Sequence, residues 1–293
     1  MKKTRIQMGF MVILIFMAGC LKGSDIAKDA TFNDTKEIVV ISREEGSGTR
    51  GAFIELFGIE VKDGDGNKKD RTTKEAIIAK QTDVMIQNIV GNKYAIGYIS
   101  LGSLNDTVKV LQIDGVEASA ENVKNGSYTI ARPFNLATKG DLTELTKDFI
   151  DFIMSDEGQT MISKSYISVV NEAGSYMGDR PSGKIVVAGS SSVTPIMEKL
   201  KEAYLELNPN AIIEIQQSDS SAGMIGVIDG TCDIGMASRA LKESELVELT
   251  SVQIALDGIA VIINNENPLS ELTFEQVKSI FIEEITKWNE LQK

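Results

Sequence analysis

The sequence contains no histidine. That excludes Ser-His-Asp and Cys-His nucleophilic mechanisms and histidine-ligated metal centres; Ser-Lys or carboxylate chemistry stays open. Cysteine is nearly as scarce, with only Cys20 and Cys232. If Cys20 is modified, Cys232 has no partner and no internal disulfide is expected. Cys232 lies in an apolar, strand-like stretch and reads as a small core residue. Positive charge is also in deficit: 30 Lys and Arg face 42 Asp and Glu, a net charge of −12. Nucleic acid is therefore a poor partner, because it needs a basic footprint. An anionic ligand is not excluded, since local amides and one buried guanidinium outweigh a distant, screened surface charge. Beyond residue 20 no apolar run approaches the roughly 20 residues that span a bilayer.

What is present begins with a targeting signal. Lys2, Lys3 and Arg5 precede the apolar stretch Met8 to Ala18, the layout of a secretory signal peptide over residues 1–19. Met17-Ala18-Gly19-Cys20 resembles a bacterial lipobox, with Met where Leu is commoner. In such signals the Cys carries the lipid and starts the mature chain, so Cys20 is the expected lipid attachment site. The alternative is a plain anchor helix with an incidental Cys. Residues 20–35 are small and polar and read as a flexible tether. The expected location is the cell membrane, lipid-anchored on its extracytoplasmic side. Loss of residues 1–19 removes three positive charges and no acids, moving the net charge from −12 to −15. About 270 residues remain, enough for one large or two medium domains.

The body of the chain alternates short apolar strands with amphipathic helices. Ile38–Ile41, Ile185–Val187, Ile212–Ile215, Cys232–Met236 and Ile259–Ile263 are candidate strands, and Tyr94–Ile99 is another. Continuous β-branched runs of this kind suit strands buried on both faces. Helical spacing predicts a helix after Thr194-Pro195 through Ile196, Leu200, Tyr204 and Leu207, with Thr194 as N-cap. The same spacing predicts helices over Leu145–Met154 and Thr273–Ile282. The pattern specifies an α/β fold with right-handed crossovers. Asp63 to Asp70 has a faint calcium-loop look, but Lys68 stands where that loop needs Gly and Lys74 where it needs Glu; a surface turn is the better reading. Residues 171–184, rich in Gly, Ser, Asp and Pro, read as a linker.

The chemistry-bearing segment is Ser42-Arg-Glu-Glu-Gly-Ser-Gly-Thr-Arg50, between the strand at Ile38–Ile41 and an apolar helix at Ala52–Phe57. Gly46 and Gly48 allow close backbone approach. The amides of Gly48 and Thr49 open a helix, where anions are favoured. Ser47 and Thr49 offer hydroxyls, and Arg43 a fork matched to two oxygens of an oxyanion. Taken alone, Gly-Ser-Gly-Thr is as often only a loop. Three further strand ends carry similar donors: Gly189-Ser190-Ser191-Ser192, Ser218-Asp219-Ser220-Ser221 and Ala237-Ser238-Arg239. Ligands bind at the carboxyl ends of α/β strands, and a set rich in donors suits a small tetrahedral oxyanion.

These residues also carry a resemblance. Ile41–Phe53, Tyr94–Gly102, Ser127–Phe134, Gly189–Leu200 and Ala255–Val261 resemble the phosphate-binding proteins of phosphate-specific ABC transporters. The resemblance spans nearly all of residues 36–293. It implies a two-lobed, type II periplasmic-binding-protein fold with mixed sheets flanked by helices, hinged to close on one inorganic phosphate. It implies no catalytic residue, cofactor or metal, and as partners the membrane permease of an ABC importer. The implied phosphate contacts are Arg43, Ser47, Gly48, Thr49, Ser191, Ser192 and Ser220. A monomer is expected.

Two departures from the family stand out. Its segments run in rotated order: the Gly-Ser-Ser segment that opens the family's chain falls here at residue 189, and Trp288-Asn289 nearly ends the sequence. That is the signature of a circular permutation, tolerable where termini lie close together. It would make residues 132–262 one lobe and 36–131 plus 263–293 the other, with hinge strands near Ala131–Arg132 and Ile262–Asn264. Second, some members place an Asp after the fourth strand to accept the proton of phosphate; the matching position is Ser238, followed by Arg239. Asp257 and Glu45 are the candidates to replace it, although Asp257 reads equally as a turn cap and Glu45 as the carboxylate that holds Arg43. Arg239 is either a second positive charge or exposed. An enzyme such as a phosphohydrolase, a phosphate sensor or adhesin, and a binder of sulfate, molybdate or a phosphonate are the competing readings.

Overall fold

The computed structural model describes residues 32–62, 68–170 and 172–292. Cys20, the expected signal at 1–19, residues 20–31 of the tether and the turn at 63–67 lie outside the described residues. Among the described residues no helix is long and apolar enough to cross a membrane.

One mixed sheet organises the chain. Its strands run in the order Ala211–Ser218, Gly183–Ser190, Ile234–Ala237, Ala131–Thr138, Thr250–Asn264, Ala95–Ser100, Val39–Arg43 and Ile77–Ala79. At one end Gly183–Ser190 pairs in parallel with Ala211–Ser218 and Ile234–Ala237. At the other end Val39–Arg43 pairs in parallel with Ile77–Ala79 and Ala95–Ser100. Two antiparallel strands join these ends. Thr250–Asn264 pairs with Ala131–Thr138 up to Gly258, and then with Ala95–Ser100 from Ile259 onward. Its partner therefore changes at Gly258–Ile259, upstream of the Ile262–Asn264 segment read as a hinge.

The apolar side chains divide at the same place. One core gathers residues between Val40 and Ile130 with Ile259–Ile263 and the end of the chain, including Phe53, Phe57, Tyr98 and Phe281. A second gathers residues between Phe134 and Ala255, including Phe149, Phe152, Ile196, Leu200 and Tyr204. Each predicted strand is present, but Ala211–Ser218 is not buried on both faces as its β-branched run suggested: it lies at the sheet edge with Ile212 60% exposed.

Helix starts follow capping chemistry. The side chain of Thr143 accepts from Thr146 N ahead of Glu144–Met154. Thr273 and Gln276 form a reciprocal capping box ahead of Phe274–Phe281. Thr194 differs from the sequence reading. It is the first residue of the helix Thr194–Leu207, whose cap is Val193 without a side-chain bond. Its hydroxyl donates back to Ser190 O at 3.1 Å, because the tight turn after Ser190 puts that carbonyl within its reach. The linker read at 171–184 is tied down: Tyr176 packs edge-on against Phe152 and donates to Asp148 Oδ2, which also accepts from Tyr204. Burial and these bonds push the Tyr204 phenol up to about 12.

Candidate functional site

Parallel strands deliver their carboxyl ends to one place. Arg43 ends Val39–Arg43, Ser190 ends Gly183–Ser190, Ser218 ends Ala211–Ser218 and Ala237 ends Ile234–Ala237. Three helices start there as well: Gly48–Leu56, Thr194–Leu207 and Ser220–Ile228. Their first amides have no intrahelical partner and carry the positive ends of the helix dipoles.

Arg43 is the centre of the arrangement. It is 2 % exposed. Its Nε and Nη2 donate to Glu44 Oε2 and Oε1 at 2.9 and 2.7 Å, a fork pair. Nη2 also donates to Ser191 Oγ at 3.1 Å, Nη1 to Thr82 Oγ1 at 3.3 Å and Nε to Ala79 O at 3.1 Å. Arg43 N donates to Tyr98 Oη, which also bonds Ser42 Oγ; Tyr98 itself stacks on Phe53. Burial raises the Tyr98 phenol pKa, so it is neutral and free to donate.

Around the guanidinium the hydroxyls fall into two bonded groups. Thr49 Oγ1 and Ser192 Oγ are 2.8 Å apart, and Thr82 Oγ1 lies 3.2 Å from Ser191 Oγ. Ser190 Oγ donates to Ser238 Oγ at 2.9 Å, and Ser220 Oγ accepts from Ser238 N at 3.1 Å. The glycine loop is pressed against the opposite wall. A Cβ on Gly48 would fall 2.5 Å from Ser220 Oγ and 2.8 Å from Ser238 Oγ; one on Gly46 would fall 2.3 Å from Asp219 Oδ1. Both glycines are therefore required for close approach.

The structure thus brings together Arg43, Gly48, Thr49, Ser191, Ser192, Ser220 and Ser238. Ser47 is buried beside them, with Oγ accepting from Arg50 N as the cap of Gly48–Leu56. Asp257 belongs to a separate cluster. It is fully buried, with Oδ1 accepting from Ser100 Oγ at 2.9 Å and Oδ2 from Arg132 Nη2 at 3.1 Å. Burial lifts its pKa to about 6 against the opposing pull of Arg132.

Two sequence readings are corrected. Glu44, not Glu45, holds Arg43; Glu45 is exposed. The backbone after the strand turns the first glutamate inward and the second outward. Arg239 is neither exposed nor free, since it forks onto Glu245 with both bonds at 2.8 Å. Thr82 and Arg132 were missed. Thr82 follows Ile77–Ala79, a strand too short to register as an apolar run, yet it obeys the rule that marked the other strand ends. Arg132 had no signal of its own.

A cavity of about 610 Å³ adjoins the cluster, walled by Glu45, Ser47, Arg50, Arg132, Ser221 and Arg239 among others. The set is rich in donors, and its carboxylate Glu44 is already paired.

Comparison with known proteins bears on the family and the fold. A family model described as a PBP superfamily domain matches residues 24–157 and 174–293. The phosphate-binding protein PstS 2 of Streptococcus agalactiae serotype V is 50% identical over 279 residues, covering 94% of this chain and 93% of its own. The chain belongs to the PstS family. PstS 2 of Streptococcus pneumoniae serotype 4 is 46% identical over 256 residues, covering 87% of this chain and 88% of its own. A crystal structure of a phosphate ABC transporter phosphate-binding protein from Streptococcus pneumoniae TIGR4 superposes with a TM-score of 0.69 at 46% identity, over 87% of this chain and 99% of that one. The fold is the α/β architecture expected from the residues, and the periplasmic-binding-protein type is the one the resemblance implied.

Proposed function

We propose that this chain binds inorganic phosphate between its two cores and hands it to the membrane permease of an ABC importer. The observation that carries the reading is the 3.1 Å bond from Arg43 Nη2 to Ser191 Oγ, between residues 148 apart, one ending Val39–Arg43 and the other directly following Gly183–Ser190. A tetrahedral dianion is the guest that a guanidinium, hydroxyls and helix-opening amides together suit. The streptococcal relatives named for phosphate binding support the ligand. The cradle is Arg43, Ser47, Gly48, Thr49, Ser191, Ser192, Ser220 and Ser238, with Thr82 added. Asp257 acts behind it, since both its oxygens are engaged.

The described residues of 132–258 form one lobe and those of 32–131 with 259–292 the other, and the two close on the ligand, with phosphate shifting the population toward the closed form. The chain order is a circular permutation of the family's common order. The adjacency of the described ends supports this: Glu37 bridges Lys287, and Asn289 N donates to Asp34 O at 2.8 Å. Cys20 carries lipid and tethers the monomer to the extracytoplasmic face of the membrane.

A thermal-shift series with phosphate, sulfate and neither tests the ligand. Phosphate at a hundred times its dissociation constant should add about 2.7 kcal/mol of stability. No shift with phosphate, or an equal one with sulfate, removes the assignment. Loss of membrane association in Cys20→Ala tests the anchor.

A further inference from the structure

Four guanidiniums approach the cleft, and they are not held alike: Arg50 pairs with Asp70 and donates to Arg43 O. Arg43 forks onto Glu44 and Arg239 onto Glu245. Each is oriented and neutralised by a bidentate partner. Arg132 is as buried as Arg43, at 2 % exposure, yet only its Nη2 is engaged, with Asp257 Oδ2 at 3.1 Å. Its Nε and Nη1 are buried without a hydrogen-bond partner. The second oxygen of Asp257, Oδ1, is turned to Ser100 rather than to Arg132. The ring of Phe134 lies against the guanidinium, 5.5 Å from centroid to Cζ. Leaving a buried donor without a partner is costly, and a pair kept only for stability would fill its fork.

Position adds to this. Arg132 stands opposite Asp257 in the pairing of Ala131–Thr138 with Thr250–Asn264, two residues from where the sheet passes between cores. It walls the same cavity as Ser47 and Glu45. Its titratable neighbours are Asp257, Arg43 and the neutral phenol of Tyr166; burial lowers its pKa most, Asp257 opposes that, and the like charge of Arg43 adds to it. Arg43 with Glu44 and Arg132 with Asp257 are two neutral pairs, so a dianion entering between the cores meets no net positive charge unless one guanidinium is only loosely neutralised.

We propose that Arg132 is a second guanidinium of the oxyanion site, a residue that sets affinity for a dianionic tetrahedral ligand, with Asp257 as the positioning residue that restrains its field. This rests on the phosphate reading above. A structural pair and an electrostatic one are distinguished by sign. Removing either member of a structural pair weakens binding alike. Removing Arg132 subtracts attraction for a dianion, whereas neutralising Asp257 subtracts repulsion.

Calorimetric titration of the full chain with inorganic phosphate at pH 7.5 makes the test, with the ligand-free melting temperature recorded for each variant. Arg132→Gln should weaken binding about tenfold or more, the scale of one charge acting through a partly screened interior. Asp257→Asn should tighten it severalfold, and Arg71→Gln, which removes a surface charge paired to Glu284, should leave it within about twofold. Wild-type protein that fails to bind phosphate overturns the phosphate reading. Binding by wild type with Arg132→Gln behaving like Arg71→Gln, or with Asp257→Asn also weakened, overturns this proposal alone. Should Arg132→Gln not fold, Asp257→Asn decides: tighter binding upholds the proposal and weaker binding overturns it.

Discussion

The two ends of the sheet bring different chemistry to the cleft. The end built on Val39–Arg43 brings charge: Arg43, fixed by Glu44, with the opening amides of Gly48–Leu56 beside it. The end built on Gly183–Ser190 brings neutral hydroxyls: Ser190, Ser191, Ser192, Ser220 and Ser238. One side attracts an anion at a distance, and the other fits it at contact, since hydroxyls rotate to donate or accept as the guest requires. The difference teaches that affinity should be lost unequally from the two sides, although their bonds look alike in length.

The largest expected effect is on the charged side. Arg43→Ala should cost phosphate binding about 3–5 kcal/mol, several hundredfold or more, because a buried anion then lacks its main countercharge. Unchanged affinity by calorimetry would end the distinction between the sides. At the junction between them, Asp257 should make stability depend on pH. Its folded pKa of about 6 lies above the unfolded carboxylate value, so the folded chain holds the proton more tightly. Stability from this group is fully present below about pH 4 and lost as pH rises through about 6, amounting to up to about 3 kcal/mol. Unfolding of wild type and Asp257→Asn between pH 4 and 7 should show that slope in the first and not the second.

Where the sides touch, Gly48→Ala should weaken binding by about 2 kcal/mol, some thirtyfold, by forcing the loop off Ser220 and Ser238. Retained affinity would mean that the loop is not pressed against the hydroxyl side in the bound state. The smallest effect is on the neutral side. Ser191→Ala should cost about 0.5–1.5 kcal/mol, as one uncharged donor among several. A loss equal to that of Arg43→Ala would break the comparison from the other direction.

Much of this was legible beforehand. Val39–Arg43, Gly183–Ser190 and Ala211–Ser218 each began as a β-branched run, and each run was followed by Gly or Ser before a helix. The structure gathers the donors of those strand ends in one place, because strand polarity dictates where they emerge. The helix Gly48–Leu56 does open at the Gly48 and Thr49 amides, with the Ser47 side chain accepting from Arg50 N as its cap. The failures were local in origin. The choice between Glu44 and Glu45 depends on which way the turn after Arg43 points each side chain, and composition is blind to it. Thr82 was hidden behind a three-residue edge strand.

By itself, the order of residues determined the alternation of strands and helices, the donor-rich strand ends, and the absence of any histidine-based chemistry. Periodicity, capping and side-chain inventory are properties of short windows, so they survive without a fold. Which donors face which acceptors was decided only by tertiary structure. Arg43 reaches Ser191 across 148 residues, and Arg132 meets Asp257 across 125. Such pairs exist because sheet register fixes where each strand ends, and a shift of one residue would turn every one of these side chains to the opposite face.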